Sequence, residues 1–192
     1  MPRLRTFIAV EMAGSVLAKA QQLIKELQTS GAEVNWVRPA QMHLTLKFLG
    51  DVPDVETPDI CRVVAAAAKT VEPFEIVCRG VGAFPDIHTP RTLWMGFGQG
   101  AEELIELQSA IDDALKKEMG YGREQRRLHP HLTLGRVKRF DETTRANLEA
   151  LLIKHANFDG DLTVIEEAVI FASFLGRDGP THQPLGHAGL AG

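Results

Sequence analysis

One tetrapeptide occurs twice in this chain, and it constrains the fold more than any other feature. His43-Leu44-Thr45-Leu46 lies in the first half and His131-Leu132-Thr133-Leu134 in the second. Each copy alternates polar and apolar residues, the pattern of a half-buried strand. Side chains at i and i+2 of a strand share a face. His43 therefore points the same way as Thr45, and His131 the same way as Thr133, while the leucines turn toward a core. If the two strands face each other, two imidazoles and two hydroxyls converge on one cleft. Such a cleft suits acid–base chemistry on an oxyanion such as a phosphate.

The elements around the repeat alternate between strand and helix. Leu4 to Glu11 reads as a strand, followed by a helix from Ala13 to Ser30 that Gly31 stops. Glu33 to Val37 is a short strand broken at Pro39. The first His-x-Thr strand runs from Met42 to Leu49, and Gly50-Asp51-Val52-Pro53 punctuates the chain. Thr57 and Pro58 are start signals of a second helix, with Thr57 expected as its N-cap. Strands are expected over Phe74 to Val81 and Arg91 to Phe97, joined by a Gly/Pro-rich loop, and a third helix over Ala101 to Met119. A basic loop, Gly120 to Pro130, leads into the second His-x-Thr strand. Asp141 is expected to cap a fourth helix. Leu162 to Leu175 is strand-like, and the tail from Gly176 to Gly192 reads as loop.

No linker or low-complexity tract divides the chain, so 1–192 is read as a single domain. The expected fold class is α+β and bilobal: two pseudo-symmetric lobes of mostly antiparallel sheet, helices outside, a central groove between them. Each half of the sequence contributes one copy of the repeat.

Composition narrows the function. With 44% hydrophobic and 24% charged residues this is an ordinary globular composition. A formal charge of −4 argues against a broad basic surface that coats nucleic acid, though not against a few local cations gripping a nucleic-acid end. The two cysteines, Cys61 and Cys78, sit in apolar surroundings and read as core residues of a reducing compartment. The apolar run at the N-terminus is too short for a signal peptide, and no segment is long enough to cross a membrane. A cytoplasmic protein is expected, and a monomer.

Histidine titrates nearest neutrality, so one can act deprotonated as a base while another acts protonated as an acid. Opening a cyclic phosphodiester needs that division of labour. One group takes a proton from water, and another, on the opposite side, protonates the departing ribose oxygen. Thr45 and Thr133 can hydrogen-bond the non-bridging oxygens, where charge accumulates. A lone His-x-Thr is common by chance; two identical copies in strand contexts are not. His129 with His131 and His43 imitates a three-histidine metal site. Pro130 breaks that alternation, however, and the threonines would have no purpose, so no metal is expected.

The segments Trp36 to Gly50 (WVRPAQMHLTLKFLG) and His129 to Arg136 (HPHLTLGR) resemble the two signatures of the two-histidine (2H) phosphoesterases. The resemblance is closest to the bacterial RNA 2′,3′-cyclic phosphodiesterases, also called 2′-5′ RNA ligases. It extends over the whole chain through Gly82 to Pro85, Pro90 to Trp94 and Gln183-Pro184-Leu185. It implies the bilobal fold, no cofactor, and hydrolysis of RNA 2′,3′-cyclic phosphate ends, or of cyclic nucleotides, to 2′-phosphomonoesters. It also implies His43 as proton donor, His131 as proton acceptor, and phosphate binding by Thr45 and Thr133; from sequence alone the two histidines are interchangeable.

By family position Arg136 would bind phosphate and Phe48 would stack on a base. Both lie at an odd offset from their histidine, which strict alternation places on the leucine face. A bulge or bend at Gly135 would re-aim Arg136 into the groove. Phe48 has no such glycine, so core packing and base stacking both stay open for it. Lys47 has cleft-side parity, and a simply solvated side chain stays open for it. Arg123, Arg126 and Arg127 form a basic cluster that reads either as a charged loop or as a contact to RNA backbone. Trp36 and Trp94 read as core or rim anchors. His88, His155, His182 and His187 read as solvent-facing. Two other functions compete: a non-catalytic module that binds RNA ends, and joining of RNA through a 2′-5′ bond by the reverse of the same chemistry.

Overall fold

The structure, a computed structural model, describes residues 2–122, 128–176 and 179–192. The order of elements is β1 (Arg3–Glu11), α1 (Gly14–Gln28), β2 (Glu33–Trp36), β3 (His43–Pro53), α2 (Thr57–Ala68), β4 (Phe74–Phe84), β5 (Thr92–Phe97), α3 (Ala101–Met119), β6 (His131–Arg139), α4 (Glu142–Lys154), β7 (Asp159–Ile165), β8 (Glu167–Gly176) and β9 (Gly179–Gly189). They form an α+β fold with two antiparallel sheets, of order β3-β1-β8-β9 and β2-β6-β5-β4-β7.

The lobes are not the two halves of the sequence. The last two strands, β8 and β9, complete the first sheet beside β1, whereas β2 crosses over to pair with β6 at the edge of the second. Helix α1 follows a strand of the first sheet yet packs on β7 of the second, and α2 packs on β9 of the first. One apolar cluster runs through both sheets, from Ile8 and Leu44 to Leu93 and Leu132.

Several boundaries differ from the sequence reading for identifiable reasons. Most of the expected loop over Gly176 to Gly192 is instead strand β9, paired with β8 from Glu167↔Gly189 to Gly176↔Gly179 with one register shift between Ile170 and Phe171. Its glycines and prolines mimic a loop, but this is an edge strand, where proline's missing N–H costs no ladder bond. β3 does not stop at Gly50: it continues to Pro53 because β1 pairs with it as far as Arg3↔Pro53. The apolar run Leu162 to Leu175 is two strands, broken at Glu166. Helix α2 begins at Thr57 itself, whose hydroxyl donates to the Asp54 carbonyl at 2.8 Å; it is not the cap. Asp141 does cap α4: its carboxylate accepts from the Thr144 N–H at 2.8 Å, and the Thr144 hydroxyl accepts from the Asp141 N–H. His155, expected on the surface, has only 11% of its side chain exposed, and its Nε2 lies 2.8 Å from Glu26 on α1.

Candidate active site

Strands β3 and β6 carry the two copies of the repeat, and over their first nine residues their burial alternates identically. In each, the histidine and threonine are half-buried and the two leucines fully buried, as the i, i+2 rule requires. Each strand then slips its register by one residue. Between Ala9 and Ile8 of β1, β3 advances from Thr45 to Lys47, leaving Leu46 without a partner on β1. Between Trp94 and Leu93 of β5, β6 advances from Thr133 to Gly135, leaving Leu134 equally unmatched on that side. A bulge of this kind inverts the parity of everything after it.

Two side chains are re-aimed in consequence. Phe48 is 64% exposed and lines the groove, which removes core packing as its role. Arg136 reaches the same groove. The bulge at Arg136 needs Gly135: a Cβ there would lie 2.6 Å from Val34 Cγ1 and 2.9 Å from the Trp36 ring. At the equivalent position of β3 stands Lys47, which borders the groove but is not solvated: its ammonium is drawn to α3. Lys47 is only 5% exposed. Its ammonium pairs with Asp112 of α3 and donates to the Gly122 carbonyl at 2.8 Å. A long side chain with a buried partner thus fills the place that the second strand leaves to hydrogen.

His43 and His131 open onto one groove of about 960 Å³ between the two sheets, together with Thr45 and Thr133. Each imidazole is held by the carbonyl two residues upstream. His131 Nδ1 lies 2.7 Å from the His129 oxygen, and a ring N–H of His43 donates to Gln41. A carbonyl only accepts, so Nδ1 of His131 carries the hydrogen and Nε2 is left with the lone pair. Rings fix the remaining freedom. His43 stacks on Phe7 at 4.8 Å and 26°, and His131 meets Phe84 edge-on at 5.1 Å.

These surroundings shift both histidines toward the neutral form. Burial, then the neighbouring His182, lower the pKa of His43 to about 4, against a partial rise from the Gln41 bond. Burial also lowers His131, with smaller contributions from His129 and Arg136, opposed by its bond to the His129 carbonyl.

His182, expected to face solvent, is a groove residue. Its ring stands 4.9 Å from both His43 and Phe7. It reaches that place because the tail is a strand, and because Gln41 Nε2 donates to the Pro180 carbonyl at 2.8 Å. Nothing in a Gly/Pro-rich tail announces this. Trp36 lines the groove as a rim residue, whereas Trp94 lies beneath it against Phe84 and His129. The cluster Arg123, Arg126 and Arg127 lies outside the described residues. Among the described residues, no group of three or more His, Cys, Asp or Glu side chains is placed to hold a metal ion, and no helix is long and apolar enough to cross a membrane.

The profile of the 2′-5′ RNA ligase superfamily matches residues 16–170. The chain belongs to that superfamily. Among its relatives, an RNA 2′,3′-cyclic phosphodiesterase of Methanothermobacter thermautotrophicus is 33% identical over 183 residues, covering 95% of this chain and 97% of the relative. One of Aquifex aeolicus is 29% identical over 184 residues, covering 95% of each chain. The same architecture recurs in the protein TT0787 of Thermus thermophilus, with a TM-score of 0.81, 26% identity and 98% of both chains covered. Escherichia coli LigT in its apo form superimposes with a TM-score of 0.78 at 21% identity over all of both chains, a likeness of fold. The two segments that resemble the 2H phosphoesterase signatures contain the starts of the two strands that carry the bulges.

Proposed function

We propose that this member of the superfamily hydrolyses the 2′,3′-cyclic phosphodiester at an RNA 3′ end to a 2′-phosphomonoester, using two histidines and no metal. The observation that carries the reading is the equivalence of β3 and β6: each presents an imidazole and a hydroxyl to one groove with the same alternation and the same bulge. The names of the relatives supply the substrate class.

In this reaction His131 Nε2, whose lone pair is left free by the Nδ1 bond to His129, takes the proton of a water as its oxygen attacks phosphorus. The bond from phosphorus to the ribose 3′ oxygen breaks, and His43 delivers a proton to that oxygen. Charge accumulating on the non-bridging oxygens is met by the Thr45 and Thr133 hydroxyls and by the Arg136 guanidinium. Phe48, exposed beside them, offers a face to the terminal base. With its pKa lowered to about 4, His43 is neutral at pH 7. Arrival of an anionic phosphate supplies the opposite charge that raises its pKa and loads the proton. Solvent exchange returns both rings to their starting states.

The test is to incubate the protein, with a chelator present, with an RNA ending in a 2′,3′-cyclic phosphate, and to identify the product. A 2′-phosphomonoester is expected, with turnover falling on the order of 10²- to 10⁴-fold in His43→Ala and in His131→Ala. Tight retention of the RNA without turnover would favour a binding module instead. Loss of turnover with chelator, regained with zinc, would refute the metal-free mechanism.

A further inference from the structure

The groove continues beyond the level of the histidines and threonines. Along β1, Ala9 pairs with Thr45, Phe7 with Phe48 and Phe171, and Arg5 with Asp51 and Ser173. Alternate residues of a strand share a face and stand about 6.6 Å apart. The floor of the groove is therefore stepped: first the Thr45 hydroxyl, then the Phe7 and Phe48 rings, then Arg5 with Ser173. Arg5 and Ser173 line the same cavity as His43. Arg5 is exposed, and among the described residues no carboxylate forms an ion pair with it. By contrast Arg3, one step farther, is engaged with the Asp51 carbonyl at 2.5 Å.

We propose that Arg5 forms a second phosphate subsite, which holds an internucleotide phosphate of the RNA upstream of the reacting end. The inference rests on the phosphodiesterase reading and extends it to chain length: an oligonucleotide end is preferred over a cyclic mononucleotide. The order of the steps carries it. With the cyclic phosphate between the histidines, the terminal base falls on the Phe7 and Phe48 step. The next group of an RNA strand is an anion, and the next step of the groove carries the Arg5 cation, whose cross-strand neighbour Asp51 forms no ion pair with it. A cyclic mononucleotide carries its one charge at the reacting phosphate and leaves Arg5 with nothing to bind. A longer strand supplies the anion that this exposed guanidinium, lining the groove, can bind.

The experiment compares adenosine 2′,3′-cyclic phosphate with di- and trinucleotides ending in the same cyclic adenosine. Adding the upstream nucleotides is expected to raise kcat/KM on the order of 10-fold, chiefly through KM. Arg5→Gln removes most of that gain, so the ratio of oligonucleotide to mononucleotide specificity falls toward one, and Arg5→Lys restores part of it. Losing one phosphate contact also flattens the dependence of log(kcat/KM) on log[salt] for the longer RNA by about 0.7. Arg62→Gln, which removes a surface cation paired with Asp59 and Glu118, changes neither ratio nor slope. The subsite is overturned if chain length brings no gain, or if Arg5→Gln lowers turnover of all three substrates by one factor. Should none of them be turned over, the phosphodiesterase reading fails by itself. Arg5 is then judged by the affinity for a dinucleotide ending in a 2′-phosphate, where equal Kd in wild type and Arg5→Gln overturns the subsite.

Discussion

Burying a histidine has a cost, and the cost can be read as a pH-dependent loss of stability. His43 falls from an ordinary value of 6.5 to about 4 in the fold, first through burial and then through His182. Above pH 6.5 the ring is neutral folded and unfolded, and it contributes nothing to the pH dependence. Between 6.5 and 4 the unfolded chain binds a proton that the folded one refuses, so stability falls as pH falls. Each unit of difference is worth about 1.4 kcal/mol. At pH 4.5 the two-unit gap gives a loss of about 2.5 kcal/mol relative to pH 7, a substantial share of the stability of a domain this size. His43→Gln keeps a polar side chain but does not titrate. Urea unfolding of wild type and His43→Gln at pH 7, 5.5 and 4.5 measures the effect. The difference in unfolding free energy between the two proteins should shift in favour of the variant by about 2.5 kcal/mol across that range. Parallel pH dependences would refute the burial argument for His43, since His131 and His182 are present in both proteins and cancel to first order. An anion that seats in the groove should reverse the trend for wild type by raising the pKa of His43.

Three other outcomes follow from the same geometry. Lys47→Met removes the ammonium from Asp112 and from the Gly122 carbonyl; a loss of about 3 kcal/mol in urea denaturation is expected, and a loss under 1 kcal/mol would show that the pair is not a buried tie. Gly135→Val forces a side chain against Val34 and Trp36 and should cost about 2 kcal/mol, read as a lowered Tm, together with a raised KM as the bulge that aims Arg136 relaxes. Because burial lowers both His43 and His131, kcat/KM, which reports the free enzyme, should peak on the acid side of pH 6.5, while kcat should peak higher because bound phosphate raises both groups; coincident optima would count against it.

What the sequence disclosed about the site, and what it hid, both follow from strand periodicity. His43, Thr45, His131 and Thr133 were legible because the i, i+2 rule holds until a ladder slips, and no slip occurs before the second leucine. Beyond that point the rule fails identically in both strands. Gly135 was a visible warning for Arg136, since a residue without a side chain marks close approach of a neighbouring strand. Lys47 gave no such warning. A charged residue in an alternating strand reads as solvent-facing, and only the distant Asp112, 65 residues along the chain, makes its burial tolerable.

His182 was hidden for a different reason. Its position depends on β9 pairing with β8, and neither the prolines nor the glycines of the tail carry strand propensity. The ladder there is imposed by the neighbouring strand rather than by local preference. The parity inversion has a mechanical consequence for the groove as a whole. Without the two bulges, Phe48 and Arg136 would point into the core and Lys47 into the cleft, so the histidines would face each other across a site lacking both its aromatic face and its guanidinium. The unmatched Leu46 and Leu134 bind these elements together. Each leucine stays buried in the core while the next two residues exchange sides, which lets one strand present an imidazole and a hydroxyl at its start and, five residues after the histidine, Phe48 or Arg136 to the same groove.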